Sequence, residues 1–440
     1  LLKPIEPIEP IEPIEPQNKK FINHLLKTNK VQVMAKCFAL LGWSLPVIES
    51  MQKAQQPFVV VSFPEFETYA KENNIPFVGF QLDEFGSHSN SRGLAELLQP
   101  YNVDVAVPLF EETVEWAGAL NSIYRDDPRV LNRAFLFRNK AMMKRKALIG
   151  GLKVGLFEEV YSRDQVHKFL DRLNEAELQL EGEQDAWFHL KPLNAAGTVG
   201  HRFIKSRDDI DNKVRTTDFP CIVESHLTGR EFSCEAFIHN GKVKFLNITE
   251  YVKLGYSNFI PAGPELEAKR DLIHKEVQKM VDIFGFEYGM VHPEFFINEE
   301  TNTLNFGEVA CRIPGGHILE LASEAYDFDA LLAFVMCHDP NLSDEELAQF
   351  LPSKEFEPQK HFGNVMVFPQ KGQISRLVIP EELKEEPYYL DNNLIEPIQP
   401  MKIGNRDGFG NHFGTVNFAG EDAERMRELL LHYEDAQFYV

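Results

Sequence analysis

The feature that most constrains this chain is the run Phe286–His317, FEYGMVHPEFFINEETNTLNFGEVACRIPGGH. Two β-rich stretches, roughly Gly289–Ile297 and Leu304–Cys311, flank NEETN, which has no apolar residue, and the whole reads as a hairpin. With the turn centred near Thr301, Glu294 stands opposite Glu308, His292 opposite Ala310 and Met290 opposite Arg312. Side chains alternate along a strand, so these six share one face. Carboxylates directly opposite each other repel and destabilise a hairpin. The pairing therefore asks for positive charge, from Arg312 or, better, from a divalent cation such as Mg²⁺, which combines a few carboxylate oxygens with phosphate and water. A solvated face carrying two glutamates is the plainer alternative. Against it stand the histidine, arginine and aromatic residues of the same face, and Pro314-Gly315-Gly316, where backbone can approach a ligand closely.

The rest of the chain limits what such a site can serve. Its 440 residues suffice for two or three domains with cores of their own, and 43% apolar with 25% charged residues is ordinary for a soluble globular protein. A formal net charge of −22 argues against nucleic-acid binding and gives no attraction to anionic membranes. A polyanionic ligand then needs a local positive site. Cys37, Cys221, Cys234, Cys311 and Cys337 are scattered, in no CxxC pair, and read as small core residues of a reducing cytosol. No apolar run approaches the ~18 residues of a membrane span, and no charged-then-apolar signal opens the chain, so a cytoplasmic protein is expected.

Along the chain, residues 1–20 are low in complexity, with Ile-Glu-Pro four times in succession, and read as a polyproline-like tail outside the core. Residues 21–130 alternate strand-like runs (Gln32–Leu40, Phe58–Ser62, Phe77–Phe80, Asp104–Pro108) with helical ones (Val47–Gln56, Phe66–Asn73, Ser91–Leu98, Glu111–Ser122), the mark of an open parallel α/β sheet. Loops after such strands often touch ligand, which makes PLFEET at 108–113 a possible substrate loop or, equally, a Glu-rich helix start. A helix is expected from Asn139 to Gly150, another over Ser162–Leu173, then a strand AWFHLKP at 186–192, on which Trp187, His189 and Lys191 share a face. The glycine-bearing LNAAGTVG follows, a loop able to lay backbone amides around phosphate. Further strands turn at His239-Asn240-Gly241, a strong hairpin signal. Helices are expected over Glu265–Phe284 and Leu319–Met336. Strands near Gly363–Phe368, Ser375–Pro380 and Thr415–Ala419 and a helix over Asp422–His432 read as a small α+β domain at 346–440.

Four elements in this order resemble the ATP-grasp superfamily: Lys140; Lys191 with its glycine loop; Glu224 and Glu231; and Glu294 with Glu308 and Arg312. FRNK…MK…G and GEVACRIPGGHI resemble its carboxylate–amine ligases of the L-amino-acid (dipeptide) kind. The resemblance implies an α/β ATP-grasp architecture: a tail (1–20), an N-terminal parallel α/β domain (21–130), an ATP-grasp domain (131–345, lid about 151–220) and the C-terminal domain. It implies that Lys140 and Lys191 contact ATP phosphates, that Ala196, Gly197 and Thr198 close over them, and that Glu224, Ser225 and Leu227 line adenine. By the same likeness Glu231 holds ribose, Glu294 and Glu308 hold Mg²⁺ (Mn²⁺ being the other choice), and Arg312 with Lys191 acts in catalysis. His292, Gly315, Gly316 and His317 are candidate substrate contacts, though a hydrogen-bonded structural role is the commoner fate of such histidines. Tyr251, Tyr256 and Phe259 either line the substrate pocket or pack a loop.

The expected reaction joins a small carboxylate to an amine, amino acids being the expected pair, through an acyl phosphate, with ADP and phosphate released. A homodimer is the usual arrangement for such enzymes, and neither nucleic acid nor membrane is involved. Position 310 departs from the commonest E-x-N-x-R pattern in being alanine, which removes an amide ligand for a second metal ion. The E-x-A-x-R variant resembles purine-pathway carboxylases, which keeps a carboxyphosphate-using enzyme as an alternative. A catalytically silent nucleotide-binding protein is another. GxxxxGK followed by Ser or Thr, GxGxxG and HExxH are absent.

Overall fold

Short Val-, Phe- and Leu-rich runs between residues 37 and 108 are too apolar for a strand with one wet face, and they form a sheet covered on both sides. In the computed structural model, which describes residues 37–83, 85–88, 90–176, 188–353, 356–404 and 412–440, these runs are β1 (Cys37–Leu41), β2 (Phe58–Ser62), β3 (Phe77–Gly79) and β4 (Val103–Pro108). They pair in parallel in the order β3-β2-β1-β4. All five residues of β2 are buried, and the helices Leu45–Lys53, Ser91–Leu98 and Val114–Arg125 alternate with the strands.

A small antiparallel sheet follows, made of β5 (Phe157–Val160), β6 (Phe188–Pro192), β7 (Arg202–Ile204) and β8 (Cys221–Ser225) in the order β5-β8-β6-β7. Phe188, Leu190, Cys221 and Val223 pack on one side against Val166, Phe169, Leu170 and Leu173 of the helix Arg163–Glu175. Alternation therefore turns His189, Lys191 and Glu224 to the other side.

The third sheet has eight strands. It draws on β9 (Arg230–His239), β10 (Lys242–Lys253), β11 (Ser257–Ile260), β12 (Gly289–Asn298), β13 (Thr303–Ala310), β14 (His361–Met366), β16 (Tyr389–Asn392) and β18 (Thr415–Gly420), while β15 (Gly372–Ile374) and β17 (Met401–Ile403) form a separate pair. The order is β13-β12-β9-β10-β11-β14-β18-β16, so the sheet runs on across the boundary expected near 345. Asn240 and Gly241 turn the β9–β10 hairpin at positive φ. One face of β9, β10, β12 and β13 is apolar: Phe232, Cys234, Ala236, Ile248, Val291 and Phe295 pack on Ile273, Val277 and Met280 of the helix Arg270–Phe284. Each buried Phe, Ile, Val or Met of this layer contributes about 1.5–3 kcal/mol. The opposite face is polar, and the site lies there.

Several expectations shift. The helix expected over 265–284 is two, Pro264–Glu267 and Arg270–Phe284. That over 319–336 breaks into Ile318–Tyr326 and Ala330–Met336, because Asp327 turns left-handed and the Asp329 side chain caps the second piece at Leu332 N–H. Ser375–Pro380 is no regular strand; it pairs irregularly with the C-terminal end around Leu377 and Tyr439, Val378 N–H donating to the Phe438 carbonyl and Val440 N–H to that of Arg376. The tail at 1–20, the residues before Cys37 and Trp187 lie outside the described residues. No helix of the described residues is long and apolar enough to cross a membrane.

Candidate nucleotide and metal site

The hairpin β12–β13 pairs Glu294 with Glu308 and His292 with Ala310, as its spacing predicts, but by a different route. The tip pairs Asn298 with Thr303 and Phe295 with Phe306, one residue out of the expected register, and the register shifts at Glu294/Phe295. Gly307 is the extra residue on β13, and a Cβ there would lie 2.9 Å from the Glu294 carbonyl oxygen. The shift reverses the parity of β13: Leu304 and Phe306 face the core before it, Val309 and Cys311 after it. Without that bulge Glu308 would follow Phe306 into the apolar side. Arg312 lies beyond the end of β13, so no ladder pair with Met290 forms. Cys311 is core, as expected.

The lysines come from two other elements. Lys140 opens the helix Lys140–Ile149, whose N-cap, Asn139, accepts from Met142 N–H. Its Nζ is 3.0 Å from Glu308 Oε2. One turn on, buried Lys144 reaches Glu224 Oε2 at 2.9 Å and donates to the Phe306 carbonyl at 3.2 Å. Lys191, on β6, donates to Glu224 Oε1 at 2.5 Å. Burial alone would raise the Glu224 carboxyl, but the ammoniums of Lys144 and Lys191 outweigh it and hold it well below the usual carboxylate range. Glu308 goes the same way, to about 2, with burial opposed by Lys140 and Lys191.

Glu231, at the start of β9, behaves oppositely: burial first, then the charge of Glu294, push it up to about 8, with Glu308 and Glu224 adding and Lys191 opposing. An acid driven that far toward neutrality marks a spot where a further cation is favoured. Carboxylate oxygens beside phosphate-competent lysines suit Mg²⁺ or Mn²⁺. Among the described residues no three His, Cys, Asp or Glu side chains already converge to hold a metal ion. Glu308 is turned to Lys140 instead.

Arg312 donates from Nε to Glu111 Oε2 at 2.9 Å, and Arg138 donates to Glu111 Oε1 at 2.8 Å. The 108–113 loop thus meets the arginine of the hairpin, and burial of Glu111 is overcome by Arg312 and Arg138, which lower its carboxyl. His292 lies 3.0 Å from Glu235 through Nδ1 and 3.6 Å from Glu294 through Nε2. Burial would lower it, but its contacts with Glu235 and Glu294 lift it to about 9. Gly197 and Thr198 both turn at φ +60° within the 197–200 turn. The Ser225 hydroxyl accepts from Leu156 N–H at 3.0 Å, serving the edge of the small sheet, and Leu227 lies beside Gly155. Gly316 turns at φ +71° and its carbonyl takes Asn258 and Asn364 amides, while Gly315 has open space at its α-carbon. His317 touches Glu320 and His412 rather than the glutamates.

Sequence reading gave no role to Glu235 or to Lys144, although Lys144 lies in the FRNK…MK…G run, and it set His189 beside Lys191 without the ladder that joins it to His201 and His226 at 2.8 and 2.9 Å. Lys144 was reachable from its four-residue spacing to Lys140 on one helix face. Glu231, Ser233 and Glu235 alternate on β9, a period-2 polar pattern that marks the same face.

No protein-family profile matches the chain. It is 25% identical over 253 residues to a D-alanine–D-alanine ligase of Caldicellulosiruptor bescii, covering 52% of this chain and 67% of the relative. It is 22% identical over 315 residues to an L-arginine-specific L-amino acid ligase of Bacillus subtilis, covering 64% and 73%. The crystal structure of an L-amino acid ligase from Bacillus licheniformis superposes with a TM-score of 0.67 at 17% identity, over 92% of this chain and 98% of that one. The three sheets, their order and these likenesses lead to one conclusion: the chain has the ATP-grasp fold and resembles the carboxylate–amine ligases that share it.

Proposed function

We propose that the protein is an ATP-dependent ligase that joins a small carboxylate to a small amine, with amino acids as the substrate class. ATP phosphorylates the carboxylate, giving an acyl phosphate and ADP. The amine attacks the acyl carbon, the C–O bond to phosphate breaks, and phosphate leaves as the amide forms. The observation that carries this reading is the meeting of Lys140, Lys144 and Lys191 with Glu224 and Glu308, the strand partner of Glu294, beside an arginine, Arg312, that Glu111 holds in place.

Lys140 and Lys191 exchange their carboxylate partners for ATP phosphate oxygens in this reading, since a point-charge ammonium suits a phosphate whose charge must be held as it moves. The amides of Gly197 and Thr198 close over the phosphates, and the segment from about 151 to 220 moves as a lid that excludes water. Glu224, Ser225 and Leu227 flank the adenine, and Glu231 accepts from the ribose diol. A divalent cation at Glu294 and Glu308 neutralises phosphate charge when bound. Arg312 presents a planar fork to the acyl phosphate, and Gly315, Gly316 and His317 flank the substrates. The printed names of the two relatives, both ligases of amino acids, support the substrate class.

An ADP-release screen over pairs of amino acids with Mg²⁺ tests the reading. ADP should form only when a matched pair is present. ADP that depends on bicarbonate would replace the ligase with a carboxylase. Tight ATP binding without ADP release under any pair would remove the enzyme reading altogether.

A further inference from the structure

The large sheet holds a buried polar network that the proposed reaction does not use. Glu235 on β9 is 0% exposed, yet it is an ionisable acid in the middle of a sheet. Its oxygens accept from Ser233 Oγ at 3.0 Å, from Thr249 Oγ1 at 2.6 Å, from the Asn247 amide and from His292 Nδ1 at 3.0 Å. Burying a carboxylate is costly, and four donors from three strands fix this one in a single orientation. An ionised carboxylate only accepts, so His292 Nδ1 is the nitrogen that carries the proton toward it.

That leaves Nε2. It faces Glu294 Oε1 at 3.6 Å, beyond hydrogen-bond distance. Two ligands on one cation with bonds of about 2.1 Å stand roughly 3–3.5 Å apart, so the pair is spaced for a shared ion with little movement. The imidazole is 6% exposed, and its ladder partner across the hairpin is Ala310, whose side chain brings no polar atom to compete for Nε2. A buried carboxylate that fixes one ring nitrogen while the other meets a ligand carboxylate is the arrangement that orients metal-bound histidines.

We infer that His292 is a ligand, through Nε2, of the divalent cation held by Glu294 and Glu308, and that Glu235 is its positioning residue. The inference rests on the proposed reading of this hairpin as a cation site. His292 is thereby moved from the substrate side to the metal side. An imidazole among the ligands shifts preference from Mg²⁺ toward Mn²⁺ and later transition ions. Glu308 is paired with Lys140, so the ligand set assembles when phosphate draws that lysine away.

The test is pulsed electron paramagnetic resonance of Mn²⁺ with a non-hydrolysable ATP analogue on the full chain. Modulation from a directly bound nitrogen is expected, and it should change when the protein carries ¹⁵N-histidine, which separates it from adenine nitrogens. The wild-type spectrum decides this without any variant. It should be lost in His292→Asn, and Glu235→Gln should weaken Mn²⁺ binding about tenfold. Bound Mn²⁺ without histidine modulation, or modulation that survives in a folded His292→Asn, overturns the inference while leaving the carboxylate site intact. No Mn²⁺ binding in the presence of nucleotide removes the cation site itself, and this inference with it.

Discussion

The small sheet and the large sheet treat one acid each, Glu224 and Glu231, in opposite ways. On the small sheet Glu224 is held by two ammoniums, from Lys144 and Lys191, which keep its carboxyl well below the usual carboxylate range. On the large sheet Glu231 is pushed toward neutrality by burial and by Glu294. Both are glutamates near Lys191, and their other neighbours decide the difference. One place is electrically complete before any ligand arrives; the other is short of positive charge. In the proposed reading the first is a store of lysines that phosphate can draw on, and the second a seat for a cation. The same conservative change, Glu to Gln, should have opposite consequences in the two places.

Glu224→Gln is the largest expected effect. It leaves Lys144, whose side chain is 3% exposed, and Lys191 facing a neutral amide. Removing one member of a buried ion pair costs about 3 kcal/mol, read as a lowered midpoint in urea unfolding. An unchanged midpoint would mean that the small sheet is not held together by this charge cluster. Glu308→Gln comes next. It should lower turnover about 10²-fold, as loss of a transition-state electrostatic contact does, and raise the Mg²⁺ requirement while the fold survives. Normal turnover at low Mg²⁺ would take the large sheet out of the chemistry.

Glu231→Gln is the smallest and has the opposite sign. An acid whose folded pKa stands near 8, above an unfolded value of roughly 4.3, favours folding while protonated, and that contribution is lost as pH rises through 8. Gln cannot lose a proton. The variant should therefore match wild type near about pH 4 and exceed it above about pH 8, by roughly 2–4 °C in melting temperature. A variant less stable than wild type at high pH would show that Glu231 is compensated after all, and the contrast between the sheets would fail.

Much of this was legible in the chain. The Glu294–Glu308 pairing follows from alternation and a polar turn, and the parallel N-terminal sheet from apolar runs separated by helical spacing. What the chain hid is the way the pairing is reached. A bulge at Gly307 restores a register that the four-residue tip had shifted, and a glycine inside a strand pattern says only that something unusual happens nearby. The partners of Lys140, Lys191 and Arg312 were hidden for a different reason. They are contacts between residues 33 to 201 positions apart, and no local pattern encodes them. Glu235 was invisible because a buried acid looks like an exposed one until its neighbours are known.

The central claim, that the carboxylates of the large sheet seat a cation which ATP then shares, is tested most directly by calorimetric titration of ATP with and without Mg²⁺. The titration is run on wild type and on Glu294→Gln/Glu308→Gln. Wild type should bind ATP at least about tenfold more tightly with Mg²⁺, the effect of a charge held in a low-dielectric site, and the double variant should lose that gain while still binding ATP through its lysines. Equal Mg²⁺ enhancement in both proteins would contradict the account.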